Sequence, residues 1–230
     1  MAADVFALQG FSIDQAGAGH RVGEDSMLFG GWIDLSQAKS VLDVGTGTGV
    51  LALIAAKRSD AKVLAVDQLI SQVSLAQRNV ENSPFSSRIQ VLKGDITVDV
   101  SARVDHIISN PPYFLCGPAA VSNRGAARHL NTNWDAWMLG FERCRTKDSK
   151  LSLVLPFERR FVLMASALRF KWFRQREAHV CAQATSTPHL LLVTFGSSPV
   201  GGVEVEQICA RHEDGHYHPS FRRYTADLYQ

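Results

Sequence analysis

The stretch Asn110-Pro111-Pro112-Tyr113 has residue types suited to holding a flat amino group. It follows Val104–Ser109, an apolar run typical of a buried strand, and the two prolines end that strand. The carboxamide oxygen of Asn110 and the backbone carbonyl of Pro111 are acceptors that match the two donors of an –NH2 group. Tyr113 offers an aromatic face for stacking. Alone, the motif also fits a proline-capped turn anchored by Tyr113.

A glycine-rich turn lies upstream, between a strand pattern at Val41–Val44 and a helix pattern from Val50 to Arg58. The turn reads Gly45-Thr46-Gly47-Thr48-Gly49, and Asp43 precedes it. Strand, glycine turn and helix form the nucleotide-binding opening of a doubly wound sheet. The spacing is GxGxG, which differs from the dinucleotide fingerprint and from the phosphate loop of nucleotide hydrolases. Absent side chains let a ligand approach the backbone, and a helix N-terminus favours a carboxylate.

Two acids follow further predicted strands. Asp67 ends the run that starts at Lys62, at roughly the 20-residue offset at which an acid binds ribose hydroxyls. Asp95 follows the strand pattern Ile89–Leu92, where its carboxylate would accept from an adenine amino group, although a plain turn is the alternative. Successive strands thus end in a glycine turn, an acid, an acid and NPPY. This order is more specific than any single member.

The bulk composition fits one globular domain spanning residues 1–230. The chain has 46% hydrophobic residues and a net charge of +2, which neither requires nor excludes a polyanionic partner. We see no basic leader and no apolar run of the roughly 20 residues that a membrane helix needs. The scattered cysteines predict free thiols and a cytoplasmic protein. Residues 1–40 are expected to be an N-terminal extension that covers the ligand site.

The remaining elements are predicted from periodicity. A loose alternation from Phe6 to Ile13 predicts a hairpin strand, and Asp25 or Ser26 is expected to cap a short helix. Residues 114–149 carry no strand pattern, and within them Trp134, Trp137, Met138, Leu139 and Phe141 have the spacing of a buried helix face. The other predictions are helices at Ile70–Asn82 and Glu158–Arg169 and strands at Leu151–Pro156, Phe173–Val180, His189–Phe195 and Val203–Ile208.

Basic side chains outside these motifs are candidates for binding RNA, and they are Arg21, Arg124, Arg128, Arg222 and Arg223. The first three fall in flexible-looking segments, and the last two lie in a tail where basic and aromatic residues alternate. A solvated loop and a plain surface helix are equally compatible with these patterns. The tail histidines lack a completing carboxylate or cysteine, so we expect no metal site.

The motifs together resemble the class I methyltransferases that use S-adenosylmethionine. The resemblance lies in Asp43 to Gly49, Asp67, Asp95 and Asn110 to Tyr113. It implies an α/β fold with a Rossmann-like, seven-stranded, mostly parallel sheet and helices on both faces. The segment from Val22 to Trp32 is further similar to the bacterial adenine-N6 methyltransferases that modify adenine 37 of a valine tRNA. Ile107–Phe114 and the closing residues 217–229 are also similar to those enzymes.

This resemblance implies roles for individual residues. The cofactor S-adenosylmethionine would contact Asp43, Gly45, Thr46, Gly47, Gly49, Asp67, Asp95, Ile96 and Asn110. Catalysis would rest on Asn110, Pro111, Pro112 and Tyr113, with tRNA as partner and adenine N6 as the methylated atom. Asn110 and the Pro111 carbonyl would hold the amine while Tyr113 stacks on the flipped base.

Three other functions share parts of this pattern. A protein glutamine N5-methyltransferase uses the same NPPY logic but usually carries a helical domain ahead of the core, and here only about 40 residues precede it. An rRNA guanine-N2 methyltransferase is the second alternative. A non-catalytic nucleotide-binding protein is the third, against which the intact Asn110 and glycine turn argue.

Overall fold

A computed structural model describes residues 4–111 and 133–229 of the chain. The helices are Glu24–Trp32 (α1), Val50–Arg58 (α2), Ile70–Glu81 (α3), Trp134–Cys144 (α4), Arg160–Arg169 (α5) and Pro219–Thr225 (α6). The strands are Val5–Leu8 (β1), Phe11–Asp14 (β2), Ser40–Val44 (β3), Lys62–Asp67 (β4), Ile89–Lys93 (β5), Val104–Ser109 (β6), Arg145–Pro156 (β7), Phe173–Cys181 (β8), Pro188–Gly196 (β9) and Glu204–Cys209 (β10).

The main sheet has the order β10-β8-β9-β7-β6-β3-β4-β5, and β1 and β2 form a separate antiparallel hairpin. Among the strands described for the main sheet, β9 alone runs antiparallel to its neighbours. One apolar core packs α1, α2, α3, α6 and the hairpin on one face, and a second packs α4 and α5 on the other. The α/β class, the mostly parallel sheet and the helices on both faces are therefore confirmed.

The strand number differs from the prediction. The described part of the main sheet has eight strands rather than seven, because Glu204–Cys209 pairs in parallel with β8 and extends the edge. The first residues of this strand are exposed, and only Ile208 and Cys209 at its end are buried, as suits a strand at the edge of the sheet. Periodicity predicted a possible strand at Val203–Ile208, and the observed strand lies in nearly the same stretch.

Three local predictions were wrong. Strand β7 begins at Arg145, inside the region without a strand pattern, because backbone pairing extends through polar residues and the Ser149 hydroxyl donates to the Val104 carbonyl at 2.6 Å. Helix α1 has Gly23 as its N-cap without a side-chain cap bond, so Asp25 and Ser26 lie in the helix rather than at the cap. Leu139 is 52% exposed, whereas Trp134, Met138 and Phe141 of the same helix are buried as expected.

Helix α1 packs unusually closely against its neighbours because it contains two adjacent glycines. A Cβ atom added to Gly30 would lie 2.9 Å from a methyl carbon of Ile54 in α2. One added to Gly31 would lie 1.8 Å from the backbone oxygen of Tyr224 in α6. Glycine at these two positions therefore sets the distance at which α2 and α6 hold α1.

Candidate active site

The carboxyl ends of β3, β4, β5 and β6 meet at one edge of the sheet, which we call the ligand edge. Hydrogen bonds link these strand ends sideways. The Ser109 hydroxyl donates to the Val44 carbonyl at 2.7 Å, and the amides of Gly45 and Thr46 donate to the Val66 carbonyl at 2.9 and 3.0 Å. The structure thus brings Asn110, the glycine turn, Asp67 and Asp95 to this edge, as the sequence predicted.

The glycine turn adopts a backbone that only glycine favours. Gly45, Gly47 and Gly49 have φ angles of +73°, +55° and +84°. A Cβ atom built on Gly45 or Gly47 meets nothing within 4 Å, so open space lies in front of both. One built on Gly49 would instead contact Ala76 of α3 at 3.4 Å. The first two glycines therefore leave room for a ligand, and the third sits against a helix.

Asp43 is fully buried beneath this turn. Its Oδ2 accepts from the Thr46 hydroxyl at 2.6 Å, while Oδ1 has no hydrogen-bond partner among the described residues. Burial raises the pKa of Asp43 to about 7, although the Thr46 bond favours the charged form. A buried carboxylate oxygen without a partner is a ready acceptor for a cationic ligand group.

Asp67 and Asp95 both accept hydrogen bonds from backbone amides near the ends of their strands. Asp67 accepts from the Gly47 amide at 3.0 Å and, with its other oxygen, from the Leu69 amide at 2.9 Å. Asp95 Oδ1 accepts from both the amide and the hydroxyl of Thr97 at 2.7 Å. Asp67 thus links the ends of β3 and β4. Asp95 stabilises its own turn, which is the alternative that the sequence offered to a role in binding adenine. Capacity for a further hydrogen bond remains at both oxygens of Asp67 and at Oδ2 of Asp95.

Ile96 lies on the α4 side of this edge. Its side chain is buried with that core, and a Cβ atom on Gly140 of α4 would lie 2.0 Å from the Ile96 carbonyl oxygen. The close approach of α4 fixes the loop that carries Asp95 and Ile96.

Asn110 is half-buried directly after β6, and Pro111 is buried. The Asn110 Nδ2 group donates to the Ser26 hydroxyl of α1 at 3.0 Å. Sequence reasoning missed this contact, because 84 residues separate the two positions and no local pattern connects them. The predicted catalytic residues Pro112 and Tyr113 lie outside the described residues.

Buried amides hold the N-terminal segment against α3. Asn79 accepts from the Asp14 amide at 2.8 Å and donates to the Thr48 carbonyl of the glycine turn at 2.8 Å. Gln72 accepts from the Gly19 amide and donates to the Gly17 carbonyl, both at 3.2 Å. Residues 14–19 are therefore fixed beside the ligand edge. Asparagine and glutamine on a helix gave no sequence signal of this role.

The three predicted RNA-binding arginines that the structure describes do not form one group. Arg21 is half-exposed and pairs with Asp4 at 3.2 Å. Arg222 and Arg223 are exposed on α6, and Asp227, two residues after the end of that helix, pairs with Arg58 at the C-terminal end of α2. Arg222 and Arg223 therefore lie on the side of the molecule and not at the ligand edge. Arg124 and Arg128 lie outside the described residues.

The C-terminal segment (residues 210–229) approaches α1 instead. The Arg211 guanidinium and the Tyr217 hydroxyl both donate to Glu24 at the start of α1, the latter at 2.8 Å. The His212 and His218 rings lie 4.6 Å apart. Within the described residues no three His, Cys, Asp or Glu side chains are grouped to hold a metal ion, and no helix is long and apolar enough to cross a membrane.

Solved structures share this fold. A predicted O-methyltransferase from Agrobacterium tumefaciens aligns with a TM-score of 0.71 and 18% identity, covering 88% of this chain and 96% of that one. A ribosomal protein L11 methylase from Lactobacillus delbrueckii aligns with a TM-score of 0.58 and 16% identity, covering 80% and 82%. At these identities the likeness establishes the fold alone.

Sequence relatives match nearly the whole chain. Proteins named tRNA1(Val) (adenine(37)-N6)-methyltransferase are 36% identical in Tolumonas auensis and 33% in Pasteurella multocida, each covering 97% of this chain and 96% of the relative. One from Parabacteroides distasonis is 32% identical and covers 100% and 99%. The model of the methyltransferase small domain matches residues 19–141. This chain therefore belongs to the methyltransferase small domain family, in one group with these full-length relatives.

Proposed function

We propose that this protein transfers the methyl group of S-adenosylmethionine to N6 of adenine 37 in tRNA1(Val), and that it acts in the cytoplasm. The observation that carries the proposal is the alignment of several relatives with this printed name over nearly the full chain. The ligand edge supports it, because it combines a glycine turn, two acids and an Asn-Pro dipeptide at neighbouring strand ends.

The residues at the edge fit the cofactor. Open space in front of Gly45 and Gly47 admits a ligand against the backbone, and the unpartnered Asp43 oxygen suits an ammonium group. Thr46 and Gly49 shape this turn, Asp67 would hold the ribose hydroxyls, and Asp95 with Ile96 would border the adenine. When bound, S-adenosylmethionine would supply an electrophilic methyl group and would leave as S-adenosylhomocysteine.

The chain's own residues would prepare the amine. The Asn110 carboxamide oxygen and the Pro111 carbonyl accept hydrogen bonds from the two N–H groups of the amine. These bonds draw the nitrogen lone pair out of conjugation and orient the lone pair. Most of the rate acceleration comes from this positioning. Tyr113 stacks on the base that has left its strand, and Pro112 stiffens the turn between them. No strong base is required, since the amine proton becomes acidic only after methylation.

Two further roles belong to this proposal. Residues 1–40 cover the cofactor site, which is supported by the hydrogen bonds that fix Asp14, Gly17 and Gly19 to α3. Arg21, Arg124, Arg128, Arg222 and Arg223 contact tRNA phosphates, each adding a salt-dependent contribution to affinity. In this arrangement the whole chain works as one domain.

The test is methyl transfer from tritiated S-adenosylmethionine to a tRNA1(Val) transcript, with digestion of the product to nucleosides. We expect label in N6-methyladenosine, and none in a matched transcript with guanosine at position 37. Total rRNA and total protein are assayed in parallel. Label in N2-methylguanosine of rRNA or in methylglutamine of protein, with none in tRNA, would contradict the proposal and identify the alternative.

A further inference from the structure

A hydroxyl group of the N-terminal region contacts the carboxamide proposed to hold the reacting amine. Asn110 Nδ2 donates to Ser26 Oγ at 3.0 Å, although the two residues belong to different elements. A carboxamide is planar, so fixing the direction of its nitrogen also fixes the direction of its oxygen. In the observed orientation the carboxamide nitrogen faces the Ser26 oxygen, so the carboxamide oxygen is directed away from α1.

The position of Ser26 is itself well determined. Helix α1 cannot approach or rotate freely, because Gly30 packs on Ile54 and Gly31 packs on the Tyr224 backbone without room for a Cβ atom. The three residues that follow Ser26 are Met27, Leu28 and Phe29, and all are buried in the core. The hydroxyl is thus presented by a rigid element, as precise orientation of a partner requires.

The start of α1 is also held from the C-terminal segment. Glu24 accepts from Arg211 and from the Tyr217 hydroxyl, and the Arg211 guanidinium stacks over the Tyr217 ring at 4.3 Å. Tyr217 in turn stacks on Phe221 of α6 with ring centroids 4.9 Å apart. These contacts fix the first turn of α1, which contains Ser26.

We infer that Ser26 is a positioning residue for the methyl transfer, and that it keeps the Asn110 carboxamide oxygen turned toward the amine of the substrate base. The inference rests on the proposed function, since it assumes that Asn110 receives an amino group. With the opposite orientation, Asn110 would present its NH2 group to the NH2 group of the substrate, and the two donors would repel each other. Only the oxygen-forward fraction of the enzyme is then competent for turnover.

The experiment compares Ser26→Ala and Ser26→Thr with the wild type in steady-state kinetics. A neutral hydrogen bond shifts an orientation equilibrium by roughly five- to tenfold, so the oxygen-forward fraction should fall from about nine-tenths to about one half, and kcat of Ser26→Ala by about twofold. The KM for tRNA and the Kd for S-adenosylmethionine should not change. Ser26→Thr keeps the hydroxyl and should restore most of the lost kcat. Ser74→Ala removes an exposed helical hydroxyl elsewhere and serves as the matched control.

A double-mutant cycle separates positioning from a general structural effect. In an Asn110→Ala background no carboxamide remains to be oriented, so adding Ser26→Ala should not lower the residual rate further. An unchanged kcat in Ser26→Ala, a defect confined to KM or Kd, or additive losses in the double variant would each overturn the inference.

The outcome is distinguishable from failure of the proposed function. If the wild type labels rRNA or protein instead of tRNA, the same variants are measured on that acceptor, and the substrate assignment alone is lost. If the wild type transfers no methyl group to any of the three, both the function and the role of Ser26 are overturned.

Discussion

The ligand edge and the helix that borders it are held in place by different kinds of contact. At the edge, hydrogen bonds between backbone and side chains join the ends of strands that are neighbours in the sheet, as between Asp67 and the Gly47 amide. Helix α1 is positioned by contacts from distant parts of the chain, as between Glu24 and Tyr217. The difference shows that binding chemistry can be encoded in a few local motifs, while the alignment of the reacting group depends on packing between remote segments.

The strongest test of this contrast is loss of the Asn110 carboxamide. Asn110→Ala should reduce kcat by about 10² to 10³-fold, because a preorganised contact to the reacting group is lost. Cofactor affinity, measured by calorimetry, should stay close to that of the wild type. Asn82→Ala, an exposed asparagine at the end of α3, is the control and should be unaffected. Wild-type turnover in Asn110→Ala would show the proposed mechanism to be wrong.

The packing side of the contrast is tested at Gly31. Gly31→Ala should lower the free energy of unfolding by about 2–3 kcal/mol, because the new methyl group overlaps the Tyr224 carbonyl and pushes α6 away. Urea unfolding followed by circular dichroism measures this change. Gly201→Ala adds the same methyl group where nothing lies within 4 Å and should leave the stability unchanged. Equal stability of the two variants would contradict the close packing of α1.

The binding side is tested at Asp67. Asp67→Ala should weaken S-adenosylmethionine binding by about 10- to 100-fold, since charge-assisted bonds to ribose hydroxyls and to the Gly47 amide are lost. Asp60→Ala removes an exposed acid at the far end of α2 and is the control. An unchanged Kd for Asp67→Ala would remove this residue from the cofactor site.

The effect of pH on the stability of the wild type is expected to be small, because the pKa values of two buried groups are shifted in opposite directions. Burial lowers the pKa of His106 to about 3, so its contribution to stability is present above pH 6.5 and is lost as pH falls toward 3. Burial raises the pKa of Asp43 to about 7, so its contribution is present below pH 3.8 and is lost as pH rises through 7. Between pH 4 and 6.5 His106 makes the free energy of unfolding rise with pH, and Asp43 makes it fall.

Removing one of the two groups should leave the pH dependence of the free energy of unfolding that the other group causes. His106→Leu should make the free energy of unfolding fall with rising pH, and Asp43→Asn should make it rise, each by up to about 1.4 kcal/mol per pH unit relative to the wild type. Urea titrations between pH 4.5 and 6.5 measure these differences. Parallel pH profiles for the wild type and either variant would show that the group does not titrate with folding.

Much of the fold was predictable because its signals are local. The glycine turn, the apolar strand runs and the helix α2 pattern each depend on a few neighbouring residues, and the structure has them where they were expected. The early start of β7 was not predictable, since Arg145–Lys150 is polar and becomes a strand through pairing with β6. The predicted cap at Asp25 was wrong because Gly23 supplies the extended backbone of the N-cap two residues earlier.

The candidate site divides in the same way. The sequence by itself determined the order of the strand ends, and with it the meeting of the glycine turn, Asp67, Asp95 and Asn110, because parallel strands present their carboxyl ends at one edge. Only the tertiary structure decided that Ser26 meets Asn110 and that Glu24 meets Tyr217. Contacts between residues so far apart depend on how helices pack on the sheet, and close packing leaves no periodic trace in the chain.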